Sequence, residues 1–282
     1  TNLEIDVLAQ VPFDSEFNNV KALIPSRVVG IVNSLSEKQV KLRINQGQLT
    51  ITCGSAKFKL SCSDPSNYPE LSNRESEKDT LKLTEAELKS LIKQVIFAAS
   101  TNNDRPAFTG VLFSFEQDAM KLIASDTYRL VLKKMSKRWG YEKSSLLIPA
   151  KSLKELIRII GDSNEEIVEV FPHGNQVVFK TSKLTFVANT LVEKFPDVTG
   201  VIPSANKSKV IASRKSLEEI VGRANLLAEG NNQAIKFVIR NAQLEVSVNS
   251  EIGAMQESVE VEKTGEDTEV YLNSRFVLEV LK

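Results

Sequence analysis

Two segments of the chain place apolar residues at helical spacing directly after a capping residue. In residues 83–100, Thr84 followed three positions later by Glu87 forms the capping-box pattern that begins a helix. Residues 212–228 repeat the apolar spacing after Ser213, another favourable capping residue. Both segments are therefore predicted to be amphipathic helices. Their predicted buried stripes are Leu88, Leu91, Ile92 and Val95, and Leu217, Ile220, Val221 and Ala224.

A second helix pattern occurs three times. The segments are "IPSRVVGIVNSL" (24–35), "IPAKSLKELIRI" (148–159) and "LNSRFVLEVLK" (272–282). They begin alike and place a basic residue at intervals of 124 positions: Arg27, Lys151 and Arg275. In the middle segment the predicted buried stripe is Leu153, Leu156, Ile157 and Ile160.

Between the helices, apolar and polar residues alternate with the period of β-strands. Such runs include "QVKLRI", "LTITC", "KFKLSC", "VVFKT" and "LTFVA", and the chain opens on "TNLEIDVLAQV". Some runs recur at nearly the same interval, as in "AMKLIASD" (119–126) and "AQLEVSVNS" (242–250). A shared order and interval predict one module repeated three times.

The repeat predicts an α+β protein made of three domains, each with two helices packed on antiparallel sheets. Polar connectors at 73–80 and 203–208 give the predicted boundaries: residues 1–75, 76–205 and 206–282. Three complete modules would need about 90 more residues, so the first and third domains are predicted to be incomplete. The chain, which begins at Thr1, is expected to be truncated at both ends.

Composition narrows the possible functions. With 41% hydrophobic and 26% charged residues and no apolar run of membrane length, the chain is expected to be a soluble, cytoplasmic protein that does not contact a membrane. The two cysteines, Cys53 and Cys62, fit no metal spacing, and the single histidine, His173, lies in a predicted turn. Because histidine and cysteine are scarce and no cluster of acid, base or metal-ligating groups is visible in the sequence, we expect no enzyme activity, no cofactor and no metal site.

Net charge is zero, so any nucleic-acid contact must be local. Lys151, Lys154 and Arg158 share one face of a predicted helix, and Lys89 and Lys93 are one turn apart on another. Such faces could follow a phosphate backbone without reading bases. An ordinary solvated helix surface is the alternative, and acidic neighbours on the same helices favour it.

Two segments resemble the bacterial sliding clamp, the beta subunit of DNA polymerase III. In "RPAFTGVLFSFEQDAMKLIASDTYRLVL" (105–132), the family's Arg-Pro, Thr-Gly-Val-Leu and Ala-Ser-Asp-x-Tyr-Arg-Leu elements occur in order. "FPDVTGVIP" (195–203) matches the family's Phe-Pro-Asp and Val-Ile-Pro elements. The resemblance extends over the whole chain and is strongest in the middle domain.

The resemblance implies a processivity factor, a non-catalytic ring that encircles duplex DNA without sequence specificity. In such clamps two full-length protomers join head to tail, the first domain of one meeting the third domain of the next. Short apolar peptides of the replicative polymerase catalytic subunit, the clamp loader and repair polymerases bind a groove between the middle and third domains. A truncated chain would be monomeric or associate abnormally.

The resemblance also implies particular site residues. The groove would be formed by Phe108, Ser125, Thr127, Tyr128, Arg129, Leu130, Pro196 and Val201. The DNA-facing set would be Arg27, Lys151, Lys154, Arg158, Arg275, Asn102 and Arg105. The dimer interface would use Phe58, Leu60, Leu226 and Leu227. Gly200 stands where many relatives have a basic residue, and the tail that completes the family's groove would follow Lys282.

Several alternatives remain open from the sequence. Leu130, Val201 and the four interface residues could be ordinary core, and Arg129 could form a surface ion pair with Asp126. The chain could instead be a non-replicative scaffold of three domains that binds peptides without encircling DNA. A hydrolase or transferase using Asp126 and Arg129 would need further clustered catalytic groups.

Overall fold

The computed structural model describes residues 2–12, 20–36, 39–68, 80–116, 119–136, 144–230 and 233–282. Its α-helices are α1 (Arg27–Asn33), α2 (Glu85–Ile96), α3 (Ala150–Ile159), α4 (Arg214–Asn225) and α5 (Ser274–Leu281). Its first strands are β1 (Ile5–Ala9), β2 (Lys41–Asn45), β3 (Gln48–Cys53), β4 (Ala56–Ser61), β5 (Leu81–Thr84), β6 (Gly110–Phe115), β7 (Met120–Ser125), β8 (Leu130–Met135) and β9 (Ser144–Pro149). The remaining strands are β10 (Ile167–His173), β11 (Gln176–Lys180), β12 (Leu184–Asn189), β13 (Ser208–Ile211), β14 (Ala234–Arg240), β15 (Gln243–Ser250), β16 (Gly253–Glu260), β17 (Glu262–Gly265) and β18 (Thr268–Asn273).

The chain forms two compact units, residues 8–75 and residues 1–7 with 76–282. The smaller unit contains α1 and an antiparallel sheet of order β2-β3-β4. Its β2–β3 turn has positive φ at Gln46 (46°) and Gly47 (73°), which is the geometry of a type I′ hairpin. The buried face of this sheet includes Leu49 and Ile51. The predicted connector at 73–80 lies, except for Thr80, outside the described residues.

The larger unit contains two sheets around helices α2 and α3. Sheet I has the strand order β1-β12-β11-β10-β5, and sheet II has the order β8-β7-β6-β9. The inner faces of both sheets and the buried stripes of both helices form one hydrophobic core. All four predicted stripe residues of α2 are buried, as are Leu153, Leu156 and Ile160 of the α3 segment, with Ile157 partly buried against the core.

The repeated module is confirmed by the third part of the chain. Sheet III has the order β16-β15-β14-β18 and is preceded by α4, as sheet II is preceded by α2. The module is also divided in half: a strand, a helix and a three-stranded meander occur as β5-α2-β6-β7-β8 and again as β9-α3-β10-β11-β12. The middle and third parts of the chain therefore share one module of helices and antiparallel sheets.

The predicted helix starts are correct. Thr84 Oγ1 accepts a hydrogen bond from the Glu87 amide at 3.1 Å, and the Glu87 carboxylate accepts one from the Thr84 amide at 2.9 Å. Helix α4 follows Ser213, whose Oγ accepts from the Ser216 amide. Since both ends of the capping box are satisfied, the start of α2 is fixed by its own sequence.

Lys89 does not lie on an open basic face of α2, as its spacing from Lys93 had suggested. Its side chain is only 14% exposed, and its Nζ contacts Asp162 at 2.9 Å and donates to the carbonyl oxygen of Ile160 at 3.3 Å. The ammonium group therefore caps the end of the α3 segment, where the last carbonyl groups lack helical partners. It holds the two helices of the middle domain together.

The capping box generates a stability prediction. Thr84→Ala should lower the local stability of α2 by about 1 kcal/mol, because one amide at its start loses its acceptor. Hydrogen exchange of the α2 amides should then speed up about fivefold. Thr84→Ser keeps the hydroxyl and should exchange nearly as slowly as the wild type. Equal acceleration by serine and alanine would contradict the capping role.

Candidate functional site

Sheet II is apolar on both of its faces. Along β6, Val111, Phe113 and Phe115 enter the main core, as expected for one face of an antiparallel sheet. The opposite face has an apolar side chain from each of the four strands: Leu112, Ile123, Leu130 and Leu147. Strand pairing places Leu112 opposite both Ile123 and Leu147, so these side chains are neighbours. We call this second surface the outer face of sheet II.

Two aromatic rings cover part of the outer face. Phe108 and Phe195 contact each other edge to face, with ring centroids 5.6 Å apart and planes at 64°. Leu191 packs beside them. Gly110 lies at this contact: a Cβ there would lie 2.9 Å from both Leu147 Cδ1 and Leu191 Cδ1, so the two leucine side chains would have to shift to admit one.

Sheet III has a more polar surface at the equivalent positions. The residues 124 positions after Leu112, Ile123, Leu130 and Leu147 are Lys236, Ser247, Ala254 and Tyr271, and they pair across the sheet in the same way. The Lys236 ammonium is 2.8 Å from the Glu269 carboxylate, so this face tolerates water. The apolar outer face is therefore a property of the middle domain, and the repeat itself does not require it.

Four predicted groove residues lie on or beside the outer face. Phe108 and Leu130 belong to its apolar cluster and are half-buried, while Pro196 follows buried Phe195 and is exposed. Val201 is 69% exposed, so the alternative of ordinary core does not apply to it. An incompletely covered apolar surface results.

The other four predicted groove residues form the turn between β7 and β8. Asp126 Oδ1 accepts from the amides of Tyr128 and Arg129, both at 3.1 Å. Buried Ser125 accepts from the Thr127 amide at 3.1 Å and donates to the carbonyl oxygen of Arg129 at 2.7 Å. Thr127 has a φ of 80°, which is unusual for a β-branched residue. The turn leaves Tyr128 85% exposed to solvent.

Arg129 is held by contacts with three parts of the chain. Its Nε donates to Asp126 at 2.9 Å, its Nη2 to the carbonyl oxygen of Phe97 at 2.7 Å, and its Nη1 to Glu279 of α5. Its guanidinium carbon is 4.2 Å from the centre of the Phe276 ring. The ion pair with Asp126 exists, but it belongs to a half-buried network that reaches the third domain.

Four of the seven predicted DNA-facing residues line one cavity of about 690 Å³ beside this turn. They are Asn102, Arg105, Lys154 and Arg275. Predicted groove residues line the same cavity: Phe108, Thr127, Tyr128 and Arg129. The two sets, which the sequence presented as separate sites, therefore meet in the larger unit.

The remaining predicted DNA-facing residues are exposed. Lys151 and Arg158 lie on α3 and contact Glu4 at 3.4 Å and Glu155 at 3.2 Å, respectively. Arg27 begins α1 in the smaller unit. Exposed ion pairs of this kind contribute little stability, so these cations stay accessible to other anions.

The predicted interface residues differ in exposure. Phe58 and Leu60 on β4 are half-buried and pair with Ile51 and Leu49 of β3. Leu226, just after α4, is exposed. Leu227 is half-buried and packs against the core of the third domain.

Sequence reasoning missed most of the outer face. Leu112, Ile123, Leu147 and Phe195 were not among the predicted site residues. The signal was present in "GVLFSF" (110–115) and "MKLIAS" (120–125), which place apolar residues on both faces of a strand.

Comparison with known proteins identifies the family. Models of the DNA polymerase III beta subunit match at residues 1–72 (N-terminal domain), 82–197 (central domain) and 199–282 (C-terminal domain). The beta sliding clamp of Staphylococcus epidermidis is 35% identical over 265 residues, covering 92% of this chain and 70% of that protein. The chain belongs to the bacterial DNA polymerase III beta subunit family, the sliding clamps.

Solved clamp structures agree with this assignment. The DNA polymerase sliding clamp of Bacillus subtilis superposes with a TM-score of 0.90 at 29% identity, covering 99% of this chain and 77% of that one. The beta subunit of Thermotoga maritima gives 0.88 at 28% identity, with 100% and 77% covered. The alternative of a non-replicative scaffold is not favoured by these matches. Truncation at both ends stays a prediction.

Two further features of the described residues concern membrane spans and metal ligands. None of the described helices is long and apolar enough to cross a membrane. Among the same residues, no group of three or more His, Cys, Asp or Glu side chains is arranged to hold a metal ion.

The carboxylate of Glu279 is the acidic end of the Arg129 network. Partial burial opposes its ionisation, but hydrogen bonds from Arg129 and Arg275 outweigh that effect and hold the pKa of Glu279 below its ordinary value. A group whose pKa is depressed by folding stabilises the folded state above its unfolded pKa of about 4.3. That stabilisation is lost as the pH falls through the lower, folded pKa.

The lowered pKa of Glu279 gives a prediction for the pH dependence of stability. Between pH 7 and pH 3, the melting temperature of the wild type should fall further than that of Glu279→Gln, which has no carboxylate to protonate. Glu251→Gln, on an exposed turn, should follow the wild type. Differential scanning calorimetry of the three proteins measures the effect, and parallel curves for the wild type and Glu279→Gln would contradict it.

Proposed function

We propose that this protein, when full length, works as a closed head-to-tail dimer that encircles duplex DNA without sequence specificity and tethers other proteins to it. It acts as a cytoplasmic processivity factor and catalyses no reaction. Its partners are the replicative polymerase catalytic subunit, the clamp loader and repair polymerases. Each docks a short apolar peptide in one groove. The proposed domains are residues 1–75, 76–205 and 206–282.

The peptide groove is supported by one observation above all, the difference between sheets II and III. Two copies of the same module have opposite surfaces at equivalent positions, apolar in one and largely polar in the other. An antiparallel sheet ordinarily leaves one face to water, so an apolar second face needs a cover. Phe108 and Phe195 supply part of that cover, and a partner's apolar side chains supply the rest.

The surroundings of the outer face suit a peptide. Leu130 offers apolar surface, and exposed Val201 and Pro196 extend it. Tyr128 lies on the β7–β8 turn with its side chain 85% exposed, so it can contact a peptide with both its ring and its hydroxyl group. An extended segment with two or three apolar anchors would fill such a surface.

The proposed contacts to DNA are supported by basic residues at equivalent positions of three helices. Arg27, Lys151 and Arg275 lie in the first turn of three helices of the same kind, and all are exposed. Lys154, Arg158, Arg105 and Asn102 extend this set. Because these side chains would meet phosphates and not bases, binding should be weak and strongly dependent on salt.

The proposed dimer contact joins β4 of one protomer to the end of α4 in the next. Phe58 and Leu60 are half-buried on β4, and Leu226 exposes most of its side chain. An exposed leucine opposite an apolar strand is a reasonable anchor for a protein interface. A head-to-tail contact of this type closes into a ring only when the rotation between protomers allows it.

Peptide binding is the direct test of the groove. A fluorescein-labelled apolar pentapeptide should bind the wild type, and Leu130→Ala and Val201→Ser should each weaken binding about tenfold, as expected for losing about 1.4 kcal/mol of apolar contact. Ile211→Ser, an exposed apolar residue on β13, is the matched control and should bind normally. Fluorescence anisotropy that shows equal affinity for all four proteins would remove the groove assignment.

Salt dependence tests the DNA-facing set. For the wild type, log K for a short duplex should fall linearly with log salt concentration. Lys151→Gln combined with Arg275→Gln should reduce the slope by about 2, since each lost phosphate contact contributes about 0.9. Lys183→Gln, on an exposed turn of the middle domain, should leave the slope unchanged. A double variant with the wild-type slope would exclude these residues from the DNA contact.

A further inference from the structure

Arg129 joins parts of the chain that are distant in sequence. Two of its bonds stay within the middle domain, to Asp126 in its own turn and to the carbonyl oxygen of Phe97 at the end of α2. The third bond reaches Glu279 on α5 of the third domain, and the Phe276 ring of the same helix lies against the guanidinium group. All five N–H groups of arginine lie in one plane, which suits several acceptors at once.

The burial of this network distinguishes it from surface ion pairs. The side chains of Arg129, Asp126 and Glu279 are 16%, 15% and 23% exposed. The pairs of Lys151 and Arg158 described above are largely exposed and screened by water. Removing one partner of a partly buried pair leaves the other charge poorly solvated, so the Arg129–Glu279 contact should resist separation.

The network lies directly behind the apolar outer face. Neighbouring residues of an extended chain point to opposite sides, and the contacts agree: Leu130 packs in the outer-face cluster, while Arg129 contacts α5. Arg129, the residue just before β8, therefore links the start of this strand to the third domain. A shift of α5 would move Arg129 and with it the adjoining wall of the groove.

We infer that Arg129 is a positioning residue for peptide binding: its contact with Glu279 fixes α5 against the β7–β8 turn and so holds the start of β8, which carries Leu130 of the proposed groove, in place. This inference rests on the proposed peptide-binding function. Three of the five N–H groups of Arg129 are already directed to Asp126, Phe97 and Glu279, so the inferred role of this guanidinium group is to hold α5 and not to bind the peptide. The recognition energy comes from the apolar face, and Arg129 keeps that face in a binding-ready geometry.

A double-mutant cycle separates positioning from direct contact. Arg129→Met and Glu279→Gln should each weaken binding of the labelled pentapeptide about tenfold, and the double variant should be no weaker than the poorer single variant. If Arg129→Met alone weakens binding while Glu279→Gln binds normally, Arg129 contacts the peptide itself and the inference is wrong.

The third domain offers a matched control. Lys236 forms a comparable ion pair with Glu269 and lies 5.8 Å from the centre of the Tyr271 ring, on the polar face of sheet III. Lys236→Met therefore removes the same kinds of interaction without touching the contact between α5 and the β7–β8 turn. Its peptide affinity should equal that of the wild type, and a tenfold loss there would show that any such ion pair has the same effect.

A distance measurement tests the geometry directly. Spin labels at Ser182 in the middle domain and Glu251 in the third domain, both exposed, report the separation of the two domains by pulsed electron resonance. Cys53 and Cys62 would be replaced by alanine and serine to leave only these labels. The distance distribution should broaden in Arg129→Met and Glu279→Gln and stay narrow in Lys236→Met. Unchanged distributions in the first two variants would overturn the inference.

The two proposals can fail separately. Equal peptide binding by the wild type and Leu130→Ala would reject the groove, and the distance distributions would still decide whether Arg129 holds α5 in place. If Leu130→Ala weakens binding but Arg129→Met and Glu279→Gln bind like the wild type, the groove stands and the positioning role is wrong. Circular dichroism of every variant confirms that each comparison is made between folded proteins.

Discussion

The architecture of the middle domain depends on covering both faces of sheet II. Its inner face is buried by α2 and the rest of the main core, which is the ordinary arrangement of a helix packed on a sheet. Its outer face is covered in part by Phe108, which lies on a short 3-10 helix (Pro106–Thr109), and by Phe195 and Leu191 from a loop. The segments around residues 105–110 and 190–202 therefore help to bury this sheet, and Leu147 and Leu191 pack closely around Gly110.

Much of the fold could be predicted from the sequence because its causes are local. The capping box of α2 needs only Thr84 and Glu87, and the apolar stripes need only helical spacing. The three-fold repeat was visible as a common interval, although its division into half-modules was not, since the two helix types share little sequence. Strand alternation likewise gave the positions of most predicted strands, whose ends differ from the observed ones by one or two residues.

The candidate site was harder to predict because its contacts are distant along the chain. Arg129 and Glu279 are separated by 150 residues, and no sequence pattern around either residue predicts that they form an ion pair. Lys89 shows the same limit: its spacing placed it on a basic face, but the end of α3 supplies acceptors that a helical wheel cannot show. The resemblance to sliding clamps named candidate residues, and the structure shows which of their side chains are exposed and which are held by hydrogen bonds.

Thr127 gives the β7–β8 turn an internal source of tension. A left-handed backbone at a β-branched residue costs on the order of 1–2 kcal/mol, which the surrounding hydrogen bonds must outweigh. Those bonds come from Asp126 and Ser125, one on each side of the carboxyl end of β7. The Asp126 carboxylate and the Ser125 hydroxyl therefore stabilise a turn conformation that Thr127 disfavours. A shift of the β7–β8 pairing by one residue would break these hydrogen bonds.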